Sequence, residues 1–132
     1  MTSIGPSSPR EVVEAMYAAA NRNDLDAQIA CYAVDATYRF DTYRLNVAGR
    51  VAIRQVVDRF LETFPDRQLI ITAVICEGER VCVESDYVAT SPGDVPGWPG
   101  AGERSVSHLC SVYTVGDGLI VAARDYRDRA LT

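Results

Sequence analysis

The only histidine of the chain, His108, and the carboxylate Asp125 lie close together near the C-terminus, where their side chains could do acid/base chemistry. They belong to two runs of β-branched and aromatic residues, Val106 to Val115 and Leu119 to Tyr126. The runs flank Gly116-Asp117-Gly118, and Asp-Gly between such runs is a strong hairpin signal. The sequence therefore predicts two long antiparallel strands that carry both residues.

Two registers of this hairpin are open. With Asp117-Gly118 as the two-residue loop, Cys110 lies opposite Asp125 and the histidine is diagonal to the carboxylate. With Gly116-Asp117 as the loop, His108 faces Asp125 directly. Both registers place the two side chains on one face of the sheet, about 5–8 Å apart at Cβ. An imidazole and a carboxylate at that separation can share a proton network, which predicts acid/base catalysis.

The composition is that of an ordinary globular protein. The chain has 132 residues, 48% of them apolar and 23% charged, which fits one domain over residues 1–132 with residues 1–8 expected to be flexible. A net charge of -5 and the absence of lysine argue against binding to nucleic acid or to an anionic membrane.

The four cysteines, Cys31, Cys76, Cys82 and Cys110, show no C-x-x-C spacing. We expect them to be buried, reduced thiols. No signal peptide or apolar run approaching about twenty residues is visible, which makes the cytoplasm the expected location. The sequence predicts neither a metal site nor an organic cofactor.

Helix signals come early in the chain. Ser8-Pro9-Arg10-Glu11 is a capping box with proline at the first helical position, and it predicts a helix from there to about Asn21. Asn23-Asp24 is a second N-cap signal, before a shorter helix that ends near Val34-Asp35. From Gly49 to Phe64 apolar residues recur at helical spacing, and a proline ends this third helix.

Strand signals alternate with these helices. Strands are predicted over Ala36 to Thr42, Gln68 to Cys76, and Arg80 to Thr90, with a loop through Asn46 after the first. Ser91 to Glu103 holds three prolines and four glycines, so it is predicted to be a long loop. The element order is helix, helix, strand, helix and then four antiparallel strands.

This order and four local motifs resemble the nuclear-transport-factor-2-like superfamily and, within it, the SnoaL-like branch. The motifs share their order with the family pattern: NRNDLDAQIACYAVDATYRF, GRVAIRQVVDRF, the stretch from Pro96 to Arg104, and DGLIVAARDYRD. The resemblance spans about residues 9 to 128. It implies an α+β fold, a cone-shaped barrel in which three N-terminal helices pack on a curved, mainly antiparallel sheet around one deep pocket. It also implies a homodimer.

The resemblance assigns roles to particular residues. SnoaL-like polyketide cyclases carry an acid/base aspartate on the last strand, at the position of Asp125 here. They carry a histidine on the preceding strand, and His108 stands two or three residues further from the turn than that position. A carboxylate in an apolar pocket should have a raised pKa, which suits proton transfer near neutral pH.

Two other relatives fit less well. Limonene epoxide hydrolases add an Arg-x-Asp pair where Ser85 and Tyr87 stand here, and an asparagine at the position of Phe40, so their water-activating triad is absent. Ketosteroid isomerases use a first-strand aspartate at that same phenylalanine, with Asp41 one residue away. Their fourth-strand aspartate corresponds to Cys110.

Each candidate also has a plain structural alternative. Asp125 could be a strand-end carboxylate paired with Arg124 or Arg127. His108 could be a core histidine, and the candidate tyrosines could be wall residues that only pack. Trp98 could be a lid over the pocket or a dimer contact. Asp41 stays in reserve because a bulge could turn it inward, whereas Glu84 and Asp86 alternate away from the expected pocket.

The sequence thus predicts an acid/base enzyme of SnoaL-like type that closes a ring or isomerises an apolar, oxygenated, polyketide-like molecule, with Asp125 and His108 as catalytic residues. The residues predicted to contact the substrate are Tyr17, Tyr38, Phe40, Tyr87, Trp98 and Cys110. Epoxide opening by Asp125 is a second hypothesis, and a non-catalytic binding or dimerisation module is a third.

Overall fold

The computed structural model describes residues 7–128, so most of the segment 1–8 that was expected to be flexible lies outside the described residues. The helices are α1 Pro9–Asn21, α2 Leu25–Ala30 and α3 Arg50–Thr63, with a short 3-10 helix Asp41–Tyr43. The strands are β1 Tyr32–Phe40, β2 Leu45–Ala48, β3 Gln68–Glu77, β4 Arg80–Thr90, β5 Arg104–Gly116 and β6 Leu119–Arg127. The predicted α+β class is confirmed.

The six strands form one sheet in the order β2-β1-β6-β5-β4-β3. Four of the five strand pairings are antiparallel, and only β1 and β6 run parallel. The edge strands β2 and β3 do not pair with each other, so the sheet is open, and the expected closed barrel was wrong in this respect. The helices cover the sheet instead, with α1 against β3 to β6 and α3 against β1 and β2.

Local signals explain how α1 and α3 begin. Ser8 Oγ accepts a hydrogen bond from the Glu11 amide at 3.1 Å, and the Glu11 side chain accepts one from the Ser8 amide at 2.9 Å, which completes the predicted capping box. Gly49 precedes α3 with a φ of 98°, which favours glycine because it has no Cβ. The buried face of α1 then supplies Met16 and Tyr17 to the core.

The first strand was predicted too short and the second was missed. β1 begins at Tyr32, four residues before the predicted start, because Tyr32 already pairs with Ile120 of β6. The segment predicted as a loop through Asn46 contains β2, which pairs with the end of β1 from Thr37↔Ala48 to Phe40↔Leu45. Four residues are too few to show a periodic pattern.

The hairpin between β5 and β6 is confirmed, but its register differs from both predicted registers. Asp117 and Gly118 have φ values of 53° and 76°, the geometry of a two-residue primed turn. Beyond the turn, Val115 pairs with Ile120 and Thr114 with Ala122, so Val121 is an extra residue in β6. Such a bulge shifts the pairing by one residue. Beyond it, each residue of β6 shares a face with the β5 residues that would otherwise lie on the opposite face.

The bulge decides which residue lies opposite Asp125. The structure pairs Asp125 with Ser111, whereas an unbulged turn would pair it with Cys110. Ser111 is on the buried face of β5, and His108 and Cys110 are on the other face. The expectation that His108 and Asp125 share a face was therefore wrong.

The cysteines are free thiols in the described residues, but they are less buried than expected. Cys76 is exposed, and Cys31, Cys82 and Cys110 are half-buried. The Sγ atoms of Cys82 and Cys110 lie 3.4 Å apart on the outer face of the sheet. In residues 7–128, none of the helices has the length and apolar character needed to cross a membrane.

Candidate active site

A cavity of about 90 Å³ lies between the helices and the inner face of the sheet. Most of its lining residues are aromatic or aliphatic: Met16, Tyr17, Tyr32, Tyr38, Phe40, Tyr43, Ile53, Val57, Phe60, Phe64, Leu69, Tyr87, Trp98, Leu109 and Tyr113. The remaining lining residues are polar or charged: Gln28, Arg67, Ser107, Ser111, Asp125 and Arg127. An apolar cavity with a few polar groups is the usual form of a small-molecule site.

Asp125 is held in this cavity by two hydroxyl groups. Tyr38 Oη donates to Oδ2 at 2.5 Å, and Ser111 Oγ donates to Oδ1 at 2.6 Å. Tyr38 comes from β1 and Ser111 from β5, the two strands on either side of β6. Both carboxylate oxygens are therefore oriented by neighbouring strands, and no arginine forms an ion pair with Asp125 in the described residues.

The surroundings of Asp125 raise its pKa. Burial raises the pKa of this carboxyl above its ordinary value of 3.8, and the hydrogen bonds from Ser111 and Tyr38 offset part of that rise. The side chain is only half-buried, and it lines the cavity. A raised pKa makes the carboxylate a stronger base at the pH where it is ionised.

A second pair of hydroxyls lies near the carboxylate. Tyr17 Oη and Tyr113 Oη are 2.9 Å apart, and both side chains are buried. Burial and then the charge of Asp125 raise the pKa of Tyr17 to about 12. The pKa of Tyr113 is also well above its usual value, mainly because of burial. One hydroxyl proton joins the two oxygens, and the second hydroxyl proton is not used in this bond.

A family model described as the SnoaL-like domain matches residues 13–123 of the chain. The chain belongs to the SnoaL-like family. The match covers most of the chain, beginning within α1 and ending within β6 at Ala123, two residues before Asp125. A comparison with curated proteins finds no match.

Solved structures agree with this family. A proposed polyketide cyclase from Xanthomonas campestris pv. campestris is 28% identical, with a TM-score of 0.76 and coverage of 91% of this chain and 90% of that chain. AclR, a proposed hydroxylase from Streptomyces galilaeus, is 26% identical, with a TM-score of 0.76 and coverage of 91% and 88%. A proposed polyketide cyclase from Pseudomonas putida KT2440 is 21% identical, with a TM-score of 0.81 and coverage of 92% of each chain. The fold is nuclear-transport-factor-2-like.

His108 is far from the cavity of this SnoaL-like protein. Its side chain is exposed on the outer face of the sheet, and Nδ1 lies 2.8 Å from Asp86 Oδ1. The hydrogen bond with Asp86 raises the pKa of His108. Cys110 is on the same outer face and does not line the cavity. The structure therefore does not bring these two predicted site residues to Asp125, because of the bulge at Val121.

The other predicted contact residues do line the SnoaL-like cavity: Tyr17, Tyr38, Phe40, Tyr87 and Trp98. The reserve candidate Asp41 does not, since it is exposed and pairs with Arg39 at 2.8 Å. Sequence reasoning missed Ser111, Tyr113 and Arg67. Ser111 and Tyr113 could have been found from the alternation of β5 if a bulge had been placed in β6, whereas Arg67 carries no sequence signal.

The loop between β4 and β5 places Trp98 at the cavity wall. Ser91 closes the base of the loop, because its amide donates to Glu103 O and its carbonyl accepts from the Gly102 amide, each at 2.8 Å. The Trp98 ring lies 4.5 Å from the Phe64 ring and 5.9 Å from the Tyr87 ring, measured between centroids. Trp98 is half-exposed and lines the cavity.

Arg127 joins this loop to the end of β6. Its guanidinium donates to Gly97 O at 3.0 Å and to Tyr43 Oη. It also lies over the rings of Tyr43 and Trp98, at 5.8 and 5.7 Å from their centroids. Arg127 therefore does not form the ion pair with Asp125 that was the structural alternative. Within residues 7–128, no cluster of three or more His, Cys, Asp or Glu side chains could hold a metal ion.

The raised pKa of Asp125 predicts a pH-dependent effect of Asp125→Asn on stability. The folded protein favours the protonated carboxyl, so the wild type loses stability as pH rises from the unfolded-state pKa through the folded-state pKa. The variant has no such loss. We expect the difference in free energy of unfolding, variant minus wild type, to increase across this pH window. At higher pH the difference should stay constant. Urea denaturation of both proteins between about pH 3 and pH 8 measures this.

The control for this series of denaturation experiments is Asp58→Asn, the same chemical change at an exposed position of α3. Its difference from wild type should not follow the pH dependence of the Asp125→Asn difference. A difference between wild type and Asp125→Asn that is independent of pH would mean that Asp125 titrates like an ordinary surface carboxyl.

Proposed function

We propose that this SnoaL-like protein is an acid/base enzyme that catalyses ring closure or isomerisation of a polyketide-like intermediate, with Asp125 as the catalytic residue. The observation that carries the proposal is the carboxylate itself, held by Tyr38 and Ser111 inside an aromatic cavity, with no charged partner among residues 7–128. Surface carboxylates normally face solvent or an arginine. A carboxylate in this setting suits proton transfer to and from carbon.

The proposed chemistry begins with removal of a proton. The Asp125 carboxylate takes a proton from the carbon next to a substrate carbonyl, which gives an enolate and a neutral carboxyl. In ring closure, the enolate carbon attacks a second carbonyl of the same molecule, a C–C bond forms, and the resulting alkoxide takes the proton back from Asp125. In isomerisation, the carboxyl returns the proton to a different carbon. Both routes regenerate the carboxylate and consume no other reactant.

The tyrosine pair is the proposed site for the enolate oxygen. Tyr38 was predicted to bind a substrate oxygen, but its hydroxyl donates to Asp125, so we assign it a positioning role. The Tyr17–Tyr113 pair has one hydroxyl proton that its own hydrogen bond does not use, and the charge of the same carboxylate acts on Tyr17. A donor fixed in a buried site stabilises charge that develops during the reaction. We therefore assign substrate-oxygen binding to this pair.

The Trp98 loop is the proposed lid. The cavity of about 90 Å³ is small beside ligand pockets of roughly 300–1,000 Å³. A polycyclic substrate therefore needs the wall to move, and residues 91–103 form a long loop that contributes Trp98 to this wall. Closing it around the substrate would exclude water from the enolate. The homodimer implied by the resemblance stays a prediction.

The proposal is tested with 2-tetralone, a bicyclic ketone whose α-protons exchange with solvent through the enolate. The protein in D2O should accelerate the loss of the α-proton NMR signal above the buffer rate, because proton removal is the step shared by ring closure and isomerisation. Saturable binding of 2-tetralone without faster exchange would contradict the enzyme hypothesis. It would support the alternative hypothesis of a non-catalytic binding module. Faster exchange that survives in Asp125→Asn would assign the base elsewhere.

Tyr38→Phe should shift the pH dependence of this exchange. The hydrogen bond from Tyr38 lowers the pKa of Asp125, so its removal raises that pKa further. For a base that acts when ionised, the rising limb of the rate profile should then move to higher pH. The control is Tyr126→Phe, which removes a hydroxyl from an exposed tyrosine of β6, next to Asp125. An unmoved profile in Tyr38→Phe would show that Tyr38 does not tune the catalytic group.

A further inference from the structure

Arg67 is a buried charge whose donors are largely unused. Its side chain is 4% exposed, between the end of α3 and the start of β3. A guanidinium carries five N–H donors, yet among residues 7–128 Nη2 bonds only to Gln28 Oε1 at 3.2 Å, and Nε has no partner there. Within the described part of the chain, no carboxylate pairs with it. Buried charges are normally paired, so this one lacks a counter-charge.

Two further polar atoms without partners lie at the same end of the cavity. Tyr87 Oη and Ser107 Oγ are buried and form no hydrogen bond in the described residues. Tyr87 pairs across the sheet with Ser107 on one side and with Leu69 on the other. Burial raises the pKa of Tyr87 to about 12, and the charge of Arg67 and then its N–H groups, which lie beside the Tyr87 hydroxyl, oppose that rise. Arg67, Tyr87 and Ser107 therefore lie together at one region of the wall.

The charge of the cavity favours an anion there. Only three lining residues carry a formal charge, namely Arg67, Arg127 and Asp125. The lining is thus net positive, although the whole chain has a net charge of -5. Arg127 already donates to Tyr43 and to Gly97 O. Arg67 is the cavity cation with capacity for a ligand.

The Arg67 region and the Asp125 region are two separate ends of the cavity. Ser107 and Ser111 lie four residues apart on β5, which places their Cα atoms about 13 Å apart along an extended strand. Ser111 faces Asp125, and Ser107 faces Tyr87. Leu109, on the same face between them, lines the apolar middle. A ligand can thus place a charged group at one end while its reactive carbon lies at the other.

We propose that Arg67, with Tyr87 and Ser107, binds the carboxylate of an aromatic or polycyclic acid at the end of the cavity opposite Asp125. The planar guanidinium fork matches a carboxylate, and the two hydroxyls supply further donors. This subsite rests on the proposed use of the cavity as a substrate site. It defines the substrate class as a keto acid whose carboxylate anchors it and whose ketone reaches the catalytic carboxylate.

The test compares 2-naphthoate with 2-naphthamide, two probes of nearly the same shape of which only the first is charged. In isothermal titration calorimetry with the wild-type protein, 2-naphthoate should bind about tenfold or more tightly, because it pairs a buried charge. In Arg67→Gln, the two affinities should come within about twofold of each other. Arg67→Lys, which keeps the charge without the planar fork, should retain part of the preference.

The matched control is Arg54→Gln, the same change at a surface arginine paired with Asp26, and it should keep the full preference. A purely structural Arg67 predicts the opposite pattern, a lower melting temperature in Arg67→Gln with an unchanged ratio of the two affinities. Equal affinities in the wild type, or no saturable binding of 2-naphthoate, would overturn the proposal without any variant. Exchange of the neutral 2-tetralone tests Asp125 independently, so failure of one proposal leaves the other standing.

Discussion

Asp125→Asn is expected to lower the enzyme-catalysed α-proton exchange of 2-tetralone by about 10²–10⁴-fold, the usual contribution of a positioned acid/base group. Asparagine has nearly the same shape and can still accept a hydrogen bond from Tyr38 or Ser111. It cannot take up the proton. The loss should therefore appear in the rate at saturating ketone, while the affinity for the ketone changes little.

NMR measurements of the exchange rate at matched pH test this prediction. They compare wild type, Asp125→Asn and the surface control Asp58→Asn. The control should exchange at the wild-type rate. A rate in Asp125→Asn within about threefold of wild type would remove Asp125 from the chemistry. A loss of affinity with an unchanged rate at saturating ketone would instead assign it a role in binding alone.

Phe64→Ala is expected to cost about 3–5 kcal/mol of folding free energy, as buried phenylalanines usually do. Phe64 is 3% exposed and directly follows α3. Its ring contacts Trp98 and Tyr87, at centroid distances of 4.5 and 5.7 Å. Its removal leaves a void beneath the loop as well as in the cavity wall. Small domains have only about 5–15 kcal/mol of stability, so the loss is a large fraction.

Urea denaturation measures this loss, and acrylamide quenching of tryptophan fluorescence measures the loop, since Trp98 is the only tryptophan. Quenching should increase in Phe64→Ala because the ring of Trp98 loses its closest aromatic neighbour. Val51→Ala, at a position of α3 that is 74% exposed, should change stability by no more than about 0.5 kcal/mol. Unchanged quenching in Phe64→Ala would mean that the loop does not depend on this packing.

Much of the fold follows from short-range signals. The capping box at Ser8 begins α1, proline after Phe64 ends α3, and Asp117-Gly118 forms the turn of the last hairpin. These signals act over a few residues, where steric and hydrogen-bond preferences are strong. β2 could not be predicted because its four residues are specified by pairing with β1, which is a tertiary contact.

The candidate site was only partly predictable for the same reason. Asp125, Tyr38 and Trp98 line the cavity and follow from motifs in the sequence. The place of His108 depends on the bulge at Val121, which shifts the register by one residue and has no clear mark among neighbouring valines and alanines. Arg67 follows a helix end, and only its packing against Gln28 reveals that it is buried.

The catalytic role of Asp125 is tested most directly by a titration of its carboxyl carbon by ¹³C NMR, with the signal assigned by its absence in Asp125→Asn. We expect a midpoint above the ordinary aspartate value of 3.8, moved further upward in Tyr38→Phe and displaced when 2-tetralone is added. A midpoint at or below 3.8 that neither Tyr38→Phe nor the ketone moves would contradict a catalytic carboxylate in this cavity.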